Sequence, residues 1–151
     1  MNGATRRSPV SLWNRLALAL ERSVPLDLVL LACRVGVGAV FWFSGRTKVD
    51  GALTVSDGAV ALFRDEYRLP LLDPSLAAHL AAYAEHALPL LLAVGLLTRG
   101  AALALLAMTL VIQVFVYPDA WPTHLSWAGP LLLLVARGAG GWSADRALGL
   151  R

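Results

Sequence analysis

The chain has 151 residues, which is enough for one domain and too few for two of ordinary size. Hydrophobic residues make up 58% and charged residues only 15%, and the net charge of +3 argues against a nucleic-acid-binding protein. The mean hydropathy of +0.65 excludes a disordered chain, and the lone Cys33 excludes an intramolecular disulfide, a CxxC redox pair and a cysteine-based zinc site. Because the apolar residues fall in long runs, we expect the lipid bilayer to surround the chain.

The N-terminal segment, residues 1–24, is basic and only partly apolar. Between Leu12 and Leu20 the apolar residues recur at helical spacing, which predicts an amphipathic helix at the membrane surface. A signal peptide is the competing interpretation, but the apolar stretch is short and ends at Glu21. We therefore predict a cytoplasmic amphipathic segment at the start of a single membrane domain that occupies residues 1–151.

Four long apolar runs follow along the chain. A helix needs about 17–25 residues to cross a bilayer. The first two runs reach this length, and the shorter third and fourth are flanked by tryptophan and tyrosine residues, which are typical of the membrane interface. The pattern predicts an all-α membrane protein, an antiparallel bundle of four transmembrane helices, whereas a soluble helical core would need polar faces that these runs lack. The runs cover residues 26–43, 76–97, 101–116 and 125–136.

Basic residues are distributed unequally among the segments between the runs. Eight lie in the N-terminal segment, the polar break 98–100 and the C-terminal tail. Four lie in the long loop 44–75, where acidic residues dilute them, and none lies in the turn 118–122. Because basic residues concentrate in cytoplasmic segments, we expect both termini in the cytoplasm and the loop 44–75 on the periplasmic side.

The long periplasmic loop is predicted to contain a short helix. Apolar residues recur at helical spacing from Val55 to Tyr67, and Thr54 opens a pattern that resembles a capping box. The helix would lie on the outer membrane surface. It could cover the bundle as a lid or serve only to fill the surface, and no strand is expected in this loop or elsewhere.

Two charged residues lie inside the apolar runs, where an unpaired charge is costly. From the same side of the membrane, Arg34 lies about 12 Å into the first run and Glu85 about 18 Å into the second, at about 1.5 Å per residue. We therefore predict an Arg34–Glu85 ion pair or a water bridge between them. One interpretation is that the pair is purely structural and fixes the register of the two helices. The other is that it belongs to a pocket for a quinone head, an anion or a metal. His86, Gln113 and Tyr117 are predicted to line that pocket.

The three histidines suggest a second kind of site. His79 and His86 share one helix face about 10 Å apart, and His124 begins the fourth run on the side where His79 also lies. Copper or another metal could bind there, but the sequence contains neither HxxxH nor HExxH, and simple hydrogen bonding is the alternative. Because no strong catalytic motif is present, we expect the chain to be at most a subunit of an enzyme.

Four segments resemble the DoxX family of small membrane proteins with four helices, and together they span residues 26–148. The first is similar to the family's R-x-G-x-G…F…G…K pattern and the second to its E…GLLTR segment. The third has a proline, a tryptophan and a histidine before the last helix, and the fourth is similar to a GPGxxSLD tail, with Ala139 in place of the proline. The matching positions include Arg34, Gly45, Lys48, Glu85, Thr98, Arg99, Pro118, Trp121 and His124.

The resemblance implies a multi-pass protein of the bacterial inner membrane. The family includes a subunit of a thiosulfate:quinone oxidoreductase and members linked to oxidative-stress and thiol-redox complexes. Segments 41–48 and 117–124 resemble a subgroup encoded beside proteins for copper-peptide biosynthesis. The resemblance therefore implies an accessory subunit of a redox or stress-response system, with a protein partner and contact with quinone. A copper-stress protein and a structural assembly factor without catalysis remain the alternatives.

Overall fold

The computed structural model describes residues 9–150, which form a helical fold with one short β-hairpin. Two of the helices continue into a π-helical turn, and a 3₁₀ turn precedes the last long helix. In chain order the elements are α1 (Pro9–Ser23), α2 (Leu26–Arg46), β1 (Val49–Asp50), β2 (Thr54–Val55), α3 (Asp57–Leu62) with the π-helical turn Phe63–Tyr67, α4 (Pro74–Val94), α5 (Thr98–Val111) with the π-helical turn Ile112–Val116, the 3₁₀ turn Pro118–Ala120, α6 (Trp121–Arg137) and α7 (Ala144–Ala147).

In residues 9–150, three helices are long and apolar enough to cross a membrane. They are α2 and α4, with 21 residues each, and α5 taken together with its π-helical turn, with 19 residues. The prediction of an all-α membrane protein is confirmed at this level by length and composition. The fourth run corresponds to α6, which has 17 residues and begins at Trp121, four residues before the predicted start.

The boundaries of α4 follow from residues that favour helix ends. Asp73 caps the first turn because its carboxylate accepts from the amide of Leu76 at 3.0 Å, and Pro74 occupies the position where no amide is needed. The helix ends at Gly95, whose φ of +73° turns its amide toward the carbonyls of Leu91 and Leu92. The chain therefore reverses within a few residues and starts α5 at Thr98.

The long helices surround one apolar core. α2 packs against α4 and α6, and α5 packs against the same two helices. Between α2 and α4, Gly38 lies against Pro89, Gly45 lies against His86, and Arg34 reaches Gly95. Positions further along α2 therefore meet positions earlier on α4. The large apolar side chains that are no more than 2% exposed are Leu30, Phe41, Leu92, Leu105, Leu131 and Leu134.

The loop between α2 and α4 contains more structure than the sequence analysis predicts. The predicted helix is present as α3 and its π-helical turn, but Ser56 rather than Thr54 caps it, with its hydroxyl 3.1 Å from the amide of Ala59. Thr54 instead belongs to β2, which pairs with β1 in an antiparallel hairpin around Gly51. The expectation of no strand was therefore wrong, because strands of two residues are too short to show an alternating pattern.

The N-terminal amphipathic segment is helical from Pro9 to Ser23, as predicted. Its apolar side chains lie outside the core: Trp13 is 69% exposed and Leu20 is 65% exposed. Residues 1–8 of the predicted segment lie outside the described residues. The placement of α1 on a membrane surface stays a prediction.

Candidate functional site

A cavity of about 420 Å³ lies among the long helices and is lined mainly by apolar side chains. Residues of α2, α4, α5 and α6 supply most of its wall, and the π-helical turn Phe63–Tyr67 with the loop after it supplies the rest. The apolar lining includes Val40, Phe41, Phe63, Leu80, Ala84, Met108, Ile112 and Trp127. The polar groups are Ser44, Lys48, Tyr67, Glu85, Tyr117 and His124.

The strongest polar feature of this cavity is a buried ion pair between Lys48 and Glu85. The Nζ atom of Lys48 lies 2.7 Å from Oε2 of Glu85, and the two side chains are only 7% and 4% exposed. Lys48 also donates to the carbonyl and the hydroxyl of Ser44, at 3.2 and 3.0 Å, so each of its three N–H groups has an acceptor. The hydroxyl of Ser44 in turn donates to Oε1 of Glu85 at 3.3 Å. Both charges are therefore compensated without solvent, which a buried pair requires.

A glycine on α2 allows α4 to approach this pair closely. A Cβ atom on Gly45 would lie 2.9 Å from Cε1 and Nδ1 of His86 and 3.0 Å from Cβ of Glu85, which is closer than such atoms pack. Lys48 follows α2 directly, and its amide donates to the carbonyl of Gly45 at 3.0 Å. The end of α2 thus places the ammonium group opposite the middle of α4, where Glu85 lies.

Two tyrosines hold the π-helical turn Phe63–Tyr67 against the segment that follows α5. The hydroxyl of Tyr117 donates to the carboxylate of Glu66, and the rings of Tyr67 and Tyr117 meet edge-on at 5.7 Å. The hydrogen bond with Glu66 raises the pKa of Tyr117, and burial raises the pKa of Tyr67. Both phenols therefore remain protonated at neutral pH, and both line the cavity.

A hydrogen-bonded pair sets the orientation of the histidine in the cavity wall. The side-chain amide of Gln113 donates to the carbonyl of Pro118 at 2.6 Å, so its oxygen is the atom that faces His124. That oxygen lies 2.6 Å from Nδ1 of His124, and Nδ1 must therefore carry the proton. In the neutral tautomer that has its proton on Nδ1, Nε2 is an acceptor. His124 is 4% exposed and packs edge-on against Trp127 at 5.1 Å.

The predicted Arg34–Glu85 pair was wrong. Glu85 pairs with Lys48, while Arg34 donates to the carbonyl of Trp142 at 2.7 Å. The depth estimate treated the ends of the two apolar runs as level, but Arg34 lies beside Gly95, just past the end of α4. The first eight residues of α2 therefore extend beyond α4. Arg34 and Gly45 are separated by about 16 Å along α2 at about 1.5 Å per residue, which puts Arg34 out of reach of Glu85.

The other members of the predicted pocket separate into two groups. Tyr117 lines the cavity together with Glu85, whereas Arg34, His86 and Gln113 do not. His86 is buried behind the ion pair, with Nδ1 2.6 Å from the carbonyl of Ala82 and the ring 5.0 Å from that of Trp42. Gln113 bonds to His124 and sets the orientation of its ring. The prediction of one pocket for all five residues was therefore wrong in part.

The three histidines do not form a metal site. His79 lies with Nδ1 2.7 Å from the carbonyl of Ser75, close to Tyr83, while His86 and His124 have the separate partners given above. Across residues 9–150, no group of three or more histidine, cysteine, aspartate or glutamate side chains is placed to hold a metal ion. The arrangement instead matches the alternative of hydrogen-bonded histidines.

Arg34 belongs to a second polar cluster at the opposite end of the helices, where the C-terminal segment crosses them. Beyond the bond from Arg34 to Trp142, the carboxylate of Asp27 accepts from the amide of Gly141 at 2.7 Å. The carboxylate of Asp145 accepts from the amides of Leu97 and Thr98 at 2.7 and 3.0 Å. These bonds join α2, the start of α5 and the residues after α6. We call this set the C-terminal clasp.

Most of the motif positions have a structural role in one of these two clusters. Gly45 and Lys48 build the ion-pair site, while Thr98 and Arg99 lie at the clasp, where Arg99 donates to the carbonyls of Val135 and Ala136. Pro118 accepts from Gln113, and Trp121 begins α6 and is 61% exposed. Lys48, Phe63, Tyr67 and Trp127 were not predicted as pocket residues. Lys48 carried usable signals, because it is the only lysine, it ends the first family pattern, and it lies two residues after a membrane-length helix.

The long apolar helices, with few charges inside them, define a helical membrane protein. The family model that matches the chain is DoxX, over residues 29–118. Because this match covers more than half of the chain, the protein belongs to the DoxX family. No curated protein and no solved structure matches it. The matched region contains most of α2, all of α4 and α5, and both residues of the Lys48–Glu85 pair.

Proposed function

We propose that the protein is a membrane-embedded accessory subunit of a redox or stress-response system, and that its cavity binds the head of a quinone. The observation that carries this proposal is a fully compensated ion pair, Lys48–Glu85, in the wall of an apolar cavity. Ligand sites commonly combine apolar walls with a few fixed polar groups. A cavity of about 420 Å³ lies within the range, about 300–1,000 Å³, of such sites.

The polar groups of the cavity are suited to a ring that bears two oxygen atoms. The bond from Lys48 to the carbonyl of Ser44, at 3.2 Å, is the longest of its three and can be exchanged for a bond to a quinone oxygen. Tyr67 is a protonated donor, and Tyr117, whose one proton goes to Glu66, offers its oxygen as an acceptor. Nε2 of His124 can accept from a reduced, hydroxyl-bearing ring. The apolar walls match the ring faces and the isoprenoid chain. Electron transfer belongs to a protein partner, since these side chains bind the ring without providing a redox centre.

We further propose the arrangement of the chain in the bacterial inner membrane. α2, α4, α5 and α6 form an antiparallel bundle of four transmembrane helices, with both termini in the cytoplasm. The opposite progression of contacts along α2 and α4 supports the antiparallel order. The distribution of basic residues supports the orientation. In this arrangement the C-terminal clasp faces the cytoplasm and the cavity lies toward the periplasmic side, under α3 and its π-helical turn.

The test is a census of molecules bound to the purified protein. Protein extracted from native membranes in mild detergent is analysed for lipid-soluble molecules by mass spectrometry and for metals on the same sample. Ala84→Phe fills the cavity beside Glu85, and Ala104→Phe adds the same ring on an exposed face of α5. We expect quinone with the wild type and Ala104→Phe, and little with Ala84→Phe.

Quinone that is absent from the wild type, or equally abundant in all three proteins, overturns the assignment of the cavity. Stoichiometric copper in place of quinone would instead support the copper-handling alternative. The unfolding midpoint of each variant in the same detergent separates a lost ligand from a lost fold.

A further inference from the structure

A second recess, of about 690 Å³, lies at the C-terminal clasp, at the opposite end of the helices from the cavity. The first turn of α5, the end of α6 and the segment that follows α6 form its wall. Unlike the cavity, it is rich in charge, and three arginines line it. The lining residues are Leu97, Thr98, Arg99, Gly100, Arg137, Gly138, Ala139, Gly140, Gly141, Asp145, Arg146 and Leu150.

Residues 9–150 provide little negative charge to balance the arginines of this recess. Within residues 9–150, Arg99, Arg137 and Arg146 form no ion pair, and all three side chains are exposed. Among the described residues, Asp145 is the only carboxylate in the lining, and it accepts from the amides of Leu97 and Thr98. Three arginines therefore line a recess whose one carboxylate within residues 9–150 is already hydrogen-bonded.

Arg99 is held in place, which prepares the recess for an anion. Its Nη1 atom donates to the carbonyls of Val135 and Ala136, in the last turn of α6. Its Nε and Nη2 atoms lie 3.5 and 3.7 Å from where a Cβ atom of Gly138 would stand. The planar guanidinium group of Arg99 is thus fixed beside Gly138, and its Nε and Nη2 atoms can still donate to a ligand. A guanidinium fork of this kind matches the geometry of phosphate oxygens.

Apolar side chains at the edge of the recess distinguish a lipid from a free anion. Leu97 and Leu150 line the same recess as the arginines, and their side chains are 58% and 45% exposed. The recess also lies at the N-terminal end of α5, where a membrane-length helix would leave the bilayer. Basic pockets at the ends of transmembrane helices bind the phosphates of anionic lipids, and nearby apolar surface can contact the first part of the acyl chains.

We infer that this recess binds the phosphate headgroup of an anionic phospholipid, with Arg99, Arg137 and Arg146 as the ligating side chains. Arg99 provides the fixed fork, while Arg137 and Arg146 close on the headgroup from the end of α6 and from α7. The bound lipid adds a bridge across the clasp between α5, α6 and the C-terminal segment. This inference does not depend on the quinone proposal, because it concerns the other end of the molecule.

The test compares lipid binding by two double variants that remove the same charge. Native mass spectrometry of the full chain in mild detergent measures binding of dioleoylphosphatidylglycerol, with dioleoylphosphatidylcholine as the zwitterionic comparison and inorganic phosphate as a third probe. Arg137→Gln/Arg146→Gln leaves Arg99 and its carbonyl bonds intact. Arg64→Gln/Arg68→Gln removes two exposed arginines from the loop between α2 and α4. Arg137→Lys/Arg146→Lys keeps the charge.

We expect the wild type to bind phosphatidylglycerol in preference to phosphatidylcholine. The Arg137→Gln/Arg146→Gln variant should bind it about 30-fold more weakly, the loss expected for two basic side chains at an anionic lipid. The lysine variant should recover most of that loss, and Arg64→Gln/Arg68→Gln should bind as the wild type does. Equal losses in both glutamine variants, no preference for the anionic lipid, or binding of inorganic phosphate alone would overturn the inference. Unfolding midpoints verify that each variant is folded.

Discussion

At the scale of single residues, the Lys48–Glu85 pair makes a sharp prediction about stability. Each side chain is almost fully buried, so removal of one leaves an uncompensated charge in an apolar cavity. We expect Lys48→Met or Glu85→Leu alone to lower the free energy of unfolding by about 3–5 kcal/mol. The double variant should cost far less, because two well-packed apolar side chains need no partner. Unfolding in mild detergent, analysed as a double-mutant cycle, measures the coupling.

Additive effects of the two substitutions would contradict this account, since they would mean that neither charge depends on the other. Glu85→Gln is an informative companion variant. Its amide oxygen can still accept from Lys48, but its NH2 group replaces the oxygen that accepts from the Ser44 hydroxyl, and the negative charge is lost. The stability of this variant should therefore lie between that of the wild type and that of Glu85→Leu.

Two glycines on the same helix give a matched test of how closely α2 and α4 approach. A methyl group on Gly45 would collide with His86 and Glu85, whereas one on Gly36 meets nothing within 4 Å. We expect Gly45→Ala to destabilise the protein by about 1–3 kcal/mol, the usual cost of overpacking. Gly36→Ala should be neutral or slightly stabilising because alanine favours the helix. Equal unfolding midpoints for the two variants would contradict the close approach at Gly45.

The need for a partner at Glu85 was predictable from its place in an apolar run, but the identity of that partner was not. The choice of Arg34 rested on distance from the ends of the runs, and hydropathy does not report where one helix extends past another. The contact between Arg34 and the Gly95 region fixes that offset. Tyr117 lines the cavity together with Glu85, as predicted, whereas Gln113 lies outside the lining and bonds to His124 from behind.

At the scale of elements, the C-terminal clasp should make stability depend on pH through Asp145. Burial raises the pKa of this carboxyl group, but the hydrogen bonds from the amides of Thr98 and Leu97 outweigh that effect, so the pKa lies below its ordinary value. An acid with a lowered pKa in the folded state stabilises the fold above its unfolded pKa, about 3.9 for aspartate, and loses that contribution as the pH falls further.

We therefore expect the wild type to be more stable than Asp145→Asn by a constant margin from about pH 7 to 5. The margin should shrink as the pH falls below about 4. Unfolding midpoints of both proteins across this range measure it, and subtraction removes the effect of other carboxyl groups. A margin that stays constant down to about pH 3, or that grows on acidification, would contradict the role given to the amide hydrogen bonds.

Among the elements, the long helices were predictable and the short ones were only partly so. Runs of apolar residues bounded by breakers such as Gly95 and Pro118 indicate helices whatever the tertiary contacts are. The hairpin at 49–55 was not visible, because two-residue strands depend on backbone pairing around Gly51 rather than on a side-chain pattern. Ser56 rather than Thr54 caps α3 because Thr54 pairs with Asp50 in that hairpin.

At the scale of the whole molecule, two polar clusters lie at opposite ends of one apolar core. The Lys48–Glu85 pair and the tyrosines serve a largely apolar cavity, while Arg34, Asp27 and Asp145 anchor the C-terminal segment. The family pattern contains residues of both clusters, and sequence alone does not separate them. Because the two clusters are separate, we assign Arg34 a role in the stability of the fold and Lys48 a role in the proposed binding of a ligand.

The most direct test of the central claim, that the Lys48–Glu85 pair recognises a quinone head in this cavity, is an equilibrium titration with a short-chain quinone. Tryptophan fluorescence can report binding because Trp127 lines the cavity. The Lys48→Met/Glu85→Leu variant should bind the quinone about 10- to 100-fold more weakly, as expected for a lost hydrogen bond to a charged group, yet bind an alkylbenzene of equal chain length as the wild type does. Equal quinone affinity in the two folded proteins would contradict the account.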